Sequence, residues 1–514
     1  MITEDQTATI DFLASPSAHG GARVERIDTH ASVVFLAGDR AYKLKRAVLF
    51  DYLDFSTVER RRALCEAEVR LNRRTAPALY RGVMAVTRER DGSLALGGTG
   101  TPVDWVVEMN RFDQEALLDR LAAAGRLDVG LMPALATAVA GLHTVADRRA
   151  DHGGKAGMAW VIEGNAAGFA EYGAGYLDPA AHGRVTDDAY TELALQGTLL
   201  DVRRDAGFVR HCHGDLHLRN IVLLDGRPTL FDGVEFNDEI SCTDVLYDLA
   251  FLLVDLWRRH LPRHANAVWN RYLAETGELA SLRLLPLFLS CRAAVRAKTS
   301  ATAATFQSDA RRRGELQELA REYLAMADDL LHPPPPCLVA IGGLSGSGKS
   351  TLALGLAPSL GAAPGAVALR SDEIRKRLCG VASLERLGPE GYSSQVSERV
   401  YATLAEQAGV VIREGQSAIV DAVYARPADR LDIERAAVDA SVPFVGFWLD
   451  APESTLIARA ELRRNDPSDA DAGVIRMQRA QQTGAIGWHR LDASLPAGLV
   501  LQTANTYLRA RPTP

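Results

Sequence analysis

The chain has 514 residues, and at roughly 150 residues per domain that length argues against one compact fold and predicts a modular protein. Hydrophobic residues make up 47%, charged residues 24% and aromatics 6%, which excludes a disordered, collagen-like or fibrous chain. A formal net charge of −7 provides no global basic field for nucleic acid, although a local basic groove is compatible with that sum.

The N-terminal stretch MITEDQTATIDFLASPSAHG carries acids where a signal peptide needs a basic start and an apolar run. No run of about 18 apolar residues follows anywhere, so the expectation is a cytoplasmic protein with no membrane partner. The six cysteines, Cys65, Cys212, Cys242, Cys291, Cys337 and Cys379, form no CxxC pair and read as reduced, mostly buried thiols. Of 58 basic residues only Lys43, Lys45, Lys155, Lys298, Lys349 and Lys376 are lysines, so a lysine inside a motif carries extra information.

In chain order, Ala31–Gly38 and Ala41–Val48 are β-leaning runs joined by a hairpin signal at Gly38-Asp39-Arg40, with Lys43 on the second strand. Thr57–Arg74 is a charged amphipathic helix, and either Glu66 or Glu68 on it is a candidate partner for Lys43. Trp105–Met109 reads as a strand, after which Glu115–Leu142 turns Ala/Leu-rich and helical. His143 reads as a buried, hydrogen-bonded core residue.

His213-Gly214-Asp215-Leu216-His217-Leu218-Arg219-Asn220 sets an Asn five residues after an Asp, and Asp232 follows in Leu230-Phe231-Asp232-Gly233. Between them, Ile221–Leu224 and Pro228–Phe231 pair across an Asp225-Gly226 turn. The pattern matches a phosphotransferase catalytic loop in which Asp215 accepts the proton of a substrate hydroxyl while Asn220 and Asp232 hold Mg²⁺. Asp244 and Asp248 read as loop-bracing and capping acids, and Arg292, Arg296 and Lys298 as a solvated basic helix face.

The combination of HGDxxxxN with the later Asp232 resembles the aminoglycoside phosphotransferase and choline kinase branch of the protein-kinase-like fold. The resemblance spans roughly residues 20–330. It implies an α+β bilobal domain at 1–332, with an N-lobe at about 20–108 and a helical C-lobe at about 109–332. It also implies that Lys43, paired with Glu66 or Glu68, contacts the α/β-phosphates of ATP. One departure concerns the strand-connecting turn, where Asp28-Thr29-His30-Ala31-Ser32 stands in place of a Gly-rich loop and leaves Ser32 as the phosphate-side candidate.

After a helical Arg311–Leu331, four prolines at Pro333–Pro336 favour a stiff spacer and mark a boundary before a second domain at 337–514. Apolar runs at Leu338–Ile341, Ala366–Leu369, Ala418–Val420 and Phe444–Leu449 alternate with helical stretches, predicting an α/β domain with a doubly wound parallel sheet. Gly343-Leu344-Ser345-Gly346-Ser347-Gly348-Lys349-Ser350 fits GxxxxGK[ST] between a strand and a helix. Its backbone N–H groups would cradle phosphate, Lys349 neutralise it, and Ser350 offer a hydroxyl to Mg²⁺. Asp372, at the carboxyl end of the next strand, is the candidate base, and Asp421 the candidate Mg²⁺ carboxylate. Ser454–Arg464 reads as a lid helix whose Arg459 and Arg463 share a face able to cover phosphates.

Together with Arg426, Arg430 and Asp466-Pro467-Ser468-Asp469-Ala470, these features resemble P-loop kinases related to zeta toxins, polynucleotide kinases and gluconate-type kinases. The whole chain resembles bacterial two-domain proteins that fuse the two kinase types. The expected activity is a bifunctional ATP- and Mg²⁺-dependent phosphotransfer to small-molecule hydroxyls. Two rivals stay open: a C-terminal polynucleotide 5′-hydroxyl kinase using Arg375, Lys376 and Arg377, and an ATP-sensing regulatory domain in a toxin or stress system.

Overall fold

The computed structural model describes residues 2–50, 52–382, 385–462 and 468–510. The chain packs as two compact units: Met1–Arg259 with Cys291–Leu324, and His260–Ser290 with Ala325–Pro514.

The first unit begins with an antiparallel sheet of six strands in the order Val24–Asp28, Ser32–Ala37, Arg40–Lys45, Thr101–Asn110, Tyr80–Arg88 and Leu94–Leu96. Strand alternation divides its side chains. Val33, Phe35 and Leu44 go to one core beneath the Thr7–Ala14 helix, with Leu13 among them. Leu36 and Ala41 go to the other face, where they meet Cys65 and Val69 of the Val58–Asn72 helix. Thr57 caps that helix, its Oγ1 accepting from Arg60 N. Lys43 and Lys45 share the Ala41 face, so the strand period aims both lysines at the same helix.

The second part of this unit is helical, with Met132–Val145, Gly154–Tyr172, Pro179–Asp205 and Val245–Arg258 around the hairpin Ile221–Leu224/Arg227–Leu230. The helical reading of Glu115–Leu142 resolves into two helices, Leu118–Ala123 and Met132–Val145, because Gly125 turns the chain at φ 65.

The second unit is built on a five-stranded parallel sheet in the order Val367–Arg370, Ala418–Asp421, Leu338–Gly343, Phe444–Asp450 and His489–Asp492. Val339, Ile341 and Phe447 pack on Leu352, Leu356 and Val500, while the alternate residues Leu338, Ala340 and Val420 are also buried, as a sheet covered on both faces requires. The last strand has too short an apolar run to stand out in the sequence. A division at the prolines puts 260–290 with the first domain, yet this segment packs in the second unit. Asn266 Nδ2 donates to the carbonyls of Pro364 and Ala366, and Asn270 Oδ1 accepts from Ala368 N, beside the Val367–Arg370 strand. Among the described residues, no helix is long and apolar enough to cross a membrane.

Candidate active sites

In the first unit, Lys43 Nζ lies 2.9 Å from Glu68 Oε1 and 2.5 Å from Asp232 Oδ1. The choice between the two glutamates is decided by helix phase: Glu68 is buried, whereas Glu66 stands on the exposed face and pairs with Arg62. Burial alone would lower the Lys43 ammonium, but the carboxylates of Asp232, Glu68 and Glu235 hold it well above its usual range. Lys45, two residues on, is fully buried between Glu68 (2.6 Å) and Glu235. Sequence reasoning passed over Lys45 and Glu235. The available signal was a second lysine on the same strand face, since a buried ammonium requires an acid.

Asp215, Asn220 and Asp232 come from the loop and hairpin between 213 and 232. Asn220 Nδ2 donates to both the backbone carbonyl and Oδ2 of Asp215, each at 2.9 Å. His217 Nε2 stands 3.2 Å from the same Oδ2. Burial would raise the Asp215 carboxyl, but His217, Arg296 and His213 keep it below the ordinary range, so it stays ionised. Asp232 adopts φ 61, and its N donates to Tyr80 Oη at 3.1 Å, which turns its carboxylate toward Lys43. The oxygens of Asn220 and Asp232 are hard donors suited to Mg²⁺.

The loop is braced from below. Asp248 accepts from Gly214 N (2.8 Å), His213 N (3.3 Å) and His143 Nε2 (3.1 Å). Asp244 caps its helix and forms a two-bond pair with Arg203. The solvated-face reading of 292–298 is overturned. Arg292 is buried, donates to Tyr247 O and Gly214 O, and stacks on Tyr247. Arg296 stacks beside Phe251 and Tyr323 and acts on Asp215. Ser32 opens its strand with its backbone engaged by Thr29.

In the second unit, the strand Leu338–Gly343 runs through the loop 344–348 into the helix Lys349–Leu356. Gly343, Gly346 and Gly348 have φ 137, 85 and 91, a region only glycine enters freely. A Cβ on Gly346 would sit 2.4 Å from Leu456 O. Ser345 N donates to Gln478 Oε1 at 2.9 Å, and Lys349 Nζ to Leu344 O at 3.1 Å. Ser347 lies buried in the same loop. Ser350 Oγ donates to Asp421 Oδ2, and these two hard oxygens at the carboxyl end of the sheet fit Mg²⁺ as a ligand class. Asp372 opens the following helix. Burial first, then the neighbouring Asp421, raise its carboxyl above the ordinary range, against Lys349 and Arg370.

Of the two arginines assigned to phosphate, only Arg459 is among the described residues. Arg459 NH1 donates to Ala493 O at 2.7 Å, while Arg463 lies outside the described residues. Arg430 and Arg426 serve local structure, Arg430 through the carbonyls of Tyr424 and Ala425 and Arg426 through Asp429. Arg375 and Lys376 are interior, held by Gly391 O and Asp469. Arg370, which the sequence reading did not single out, reaches the P-loop, its NH2 donating to Ser350 Oγ at 3.1 Å.

Residues 32–285 match the Phosphotransferase enzyme family, and residues 338–484 match the AAA domain family. An uncharacterized protein of Mycobacterium tuberculosis is 31% identical over 479 residues, covering 91% of this chain and 92% of its own. The adenylyl-sulfate kinase of Myxococcus xanthus is 30% identical over 118 residues, covering 23% of this chain and 59% of its own. A choline/ethanolamine kinase family protein from Mesorhizobium loti aligns in structure at 14% identity and TM-score 0.40, over 63% of this chain and 93% of its own. The chain belongs to the family of the mycobacterial protein, and in it a kinase-like phosphotransferase domain precedes a P-loop kinase-type domain. It is an ATP-dependent kinase.

Proposed function

We propose that this member of the two-domain kinase family carries two Mg·ATP sites and transfers a γ-phosphoryl group to a small-molecule hydroxyl at each. The observation that carries the reading is that each unit supplies a base, a cation for phosphate and a pair of hard oxygen donors in one place. In the first unit these are Asp215, Lys43, and Asn220 with Asp232. In the second they are Asp372, Lys349, and Ser350 with Asp421.

Bound Mg²⁺ would supply charge stabilisation to the transferring phosphoryl. The chain's own residues do the remainder. Lys43, fixed by Glu68, positions phosphate, and Asp215 takes the acceptor proton while Asn220 holds its orientation. In the second unit the P-loop amides and Lys349 cradle phosphate, and the raised Asp372 carboxyl is matched to receiving a proton nearer neutral pH. The interior placement of Arg375 and Lys376 weighs against a polynucleotide groove at this site.

ATP titrated into the intact chain should register two sites, one lost with Lys43→Ala and the other with Lys349→Ala. A γ-labelled transfer screen of those two variants against sugars, aminoglycosides, nucleosides and 5′-hydroxyl oligonucleotides assigns an acceptor to each domain. A single binding site unaffected by one of the substitutions would overturn the two-site reading.

A further inference from the structure

Arg370 is the last residue of the strand Val367–Arg370 and pairs in register with Asp421 on the neighbouring strand. Its side chain is 12% exposed. Among the described residues the guanidinium meets Ser350, Asp421 and Glu373: NH2 donates to Ser350 Oγ at 3.1 Å, Nε lies 3.6 Å from Asp421 Oδ2, and NH1 donates to Glu373 Oε1 at 3.2 Å. Two of those groups, Ser350 Oγ and Asp421 Oδ2, are the oxygens fitted to a divalent cation in the P-loop reading. Mg²⁺ draws its oxygen ligands to about 2.0–2.1 Å and keeps several waters. A guanidinium bonded to the same oxygens claims the same space, and two cations at such a distance repel. The third group explains why the arginine need not leave: Glu373, three residues along, offers a carboxylate that is not one of the two oxygens fitted to the cation. Burial raises the Glu373 carboxyl and Arg370 opposes that rise.

We propose that Arg370 is the built-in counterion of the P-loop site, exchanging with the divalent cation at Ser350 and Asp421 and withdrawing to Glu373 when metal enters. The consequence is a site whose carboxylates are neutralised whether or not metal is present, so nucleotide binds even before its metal. The inference rests on the P-loop being a nucleotide site.

The test is calorimetric titration of ATP into full-length protein carrying Lys43→Ala, which silences the first site, with excess Mg²⁺ and with EDTA. Arg370→Met in that background should weaken metal-free ATP binding at least tenfold while changing Mg·ATP binding less than threefold. Manganese titrated without nucleotide should bind Arg370→Met more tightly than its parent, because the competing cation is gone. Arg370→Lys, which keeps the charge but not the fork, should fall between them and guards against a folding defect in the methionine variant. Equal weakening with and without metal, or no change in either, would overturn the exchange and leave the P-loop reading standing. Absence of any ATP binding in the Lys43→Ala parent would remove the P-loop reading itself and the exchange with it.

Discussion

Asp215 and His217, two residues apart on one loop, face each other with Oδ2 and Nε2 separated by 3.2 Å. The contact places an imidazole against the carboxylate proposed as the base. Among the described residues His217 Nδ1 is buried without a hydrogen-bond partner, and its ring meets Phe251 edge-on, so the ring is fixed by packing and by Asp215. Arg296 and His213 add to the field on the carboxyl, and His217 also acts on Asp255.

His217→Phe removes the imidazole and its hydrogen bond beside Asp215. Because the folded carboxyl is held below its ordinary value, it stays ionised as pH falls. The variant's carboxyl titrates at higher pH, so the acid limb of first-domain turnover should move upward. A pH–rate profile of ATP turnover in a Lys349→Ala background reads this directly, and an unmoved limb would remove His217 from the account.

Glu68 serves two lysines, and Lys45 has Glu235 as its second partner. Lys45→Met strands buried negative charge and should destabilise the fold by about 3–5 kcal/mol. Adding Glu235→Leu should recover a large part of that loss, since both ends of the buried pair are then apolar. Urea melts of the two variants and their parent give the coupling.

Asp248 braces the catalytic loop with a carboxyl lowered to about 2. Burial works to raise it, but His143, His213 and Arg292 prevail. Its unfolded value is about 3.9, so its contribution is present above about pH 4 and lost as pH falls toward 2, on the order of 2 kcal/mol. Asp248→Asn should therefore flatten the acid side of a stability-against-pH curve, measured by thermal melting.

Asp372 differs from Asp215 in sign. Its carboxyl is raised by burial and by Asp421, so the base form accumulates only as pH climbs past the ordinary carboxyl range, and second-domain transfer should rise with it. Asp372→Asn should cut transfer by about 10²–10⁴-fold with ATP affinity little altered. Rapid-quench transfer and calorimetry together separate the two effects.

Gly346→Ala puts a Cβ 2.4 Å from the Leu456 carbonyl in a backbone at φ 85. The loop must shift, and nucleotide binding at the second site should disappear while the first survives. Calorimetric stoichiometry falling from two to one is the expected reading.

Local chemistry made much of both sites legible in the sequence. A P-loop is a contiguous run whose glycines and lysine act through the backbone that carries them, and Asp215 with Asn220 lies within six residues, so spacing alone announces the chemistry. Strand alternation likewise directs Lys43 toward the following helix. Tertiary structure decided what depends on a distant partner: that Glu68 and not Glu66 faces the sheet, that Lys45 needs Glu235, and that Arg292 and Arg296 turn inward beneath the catalytic loop. Arginines at helical spacing read identically whether solvated or buried, because periodicity locates a face and says nothing of what covers it. Arg370 meets Ser350 and Asp421 only because parallel strands set their carboxyl ends side by side. That arrangement brings Arg370 and Asp421, far apart in the chain, into one register, which no local pattern records.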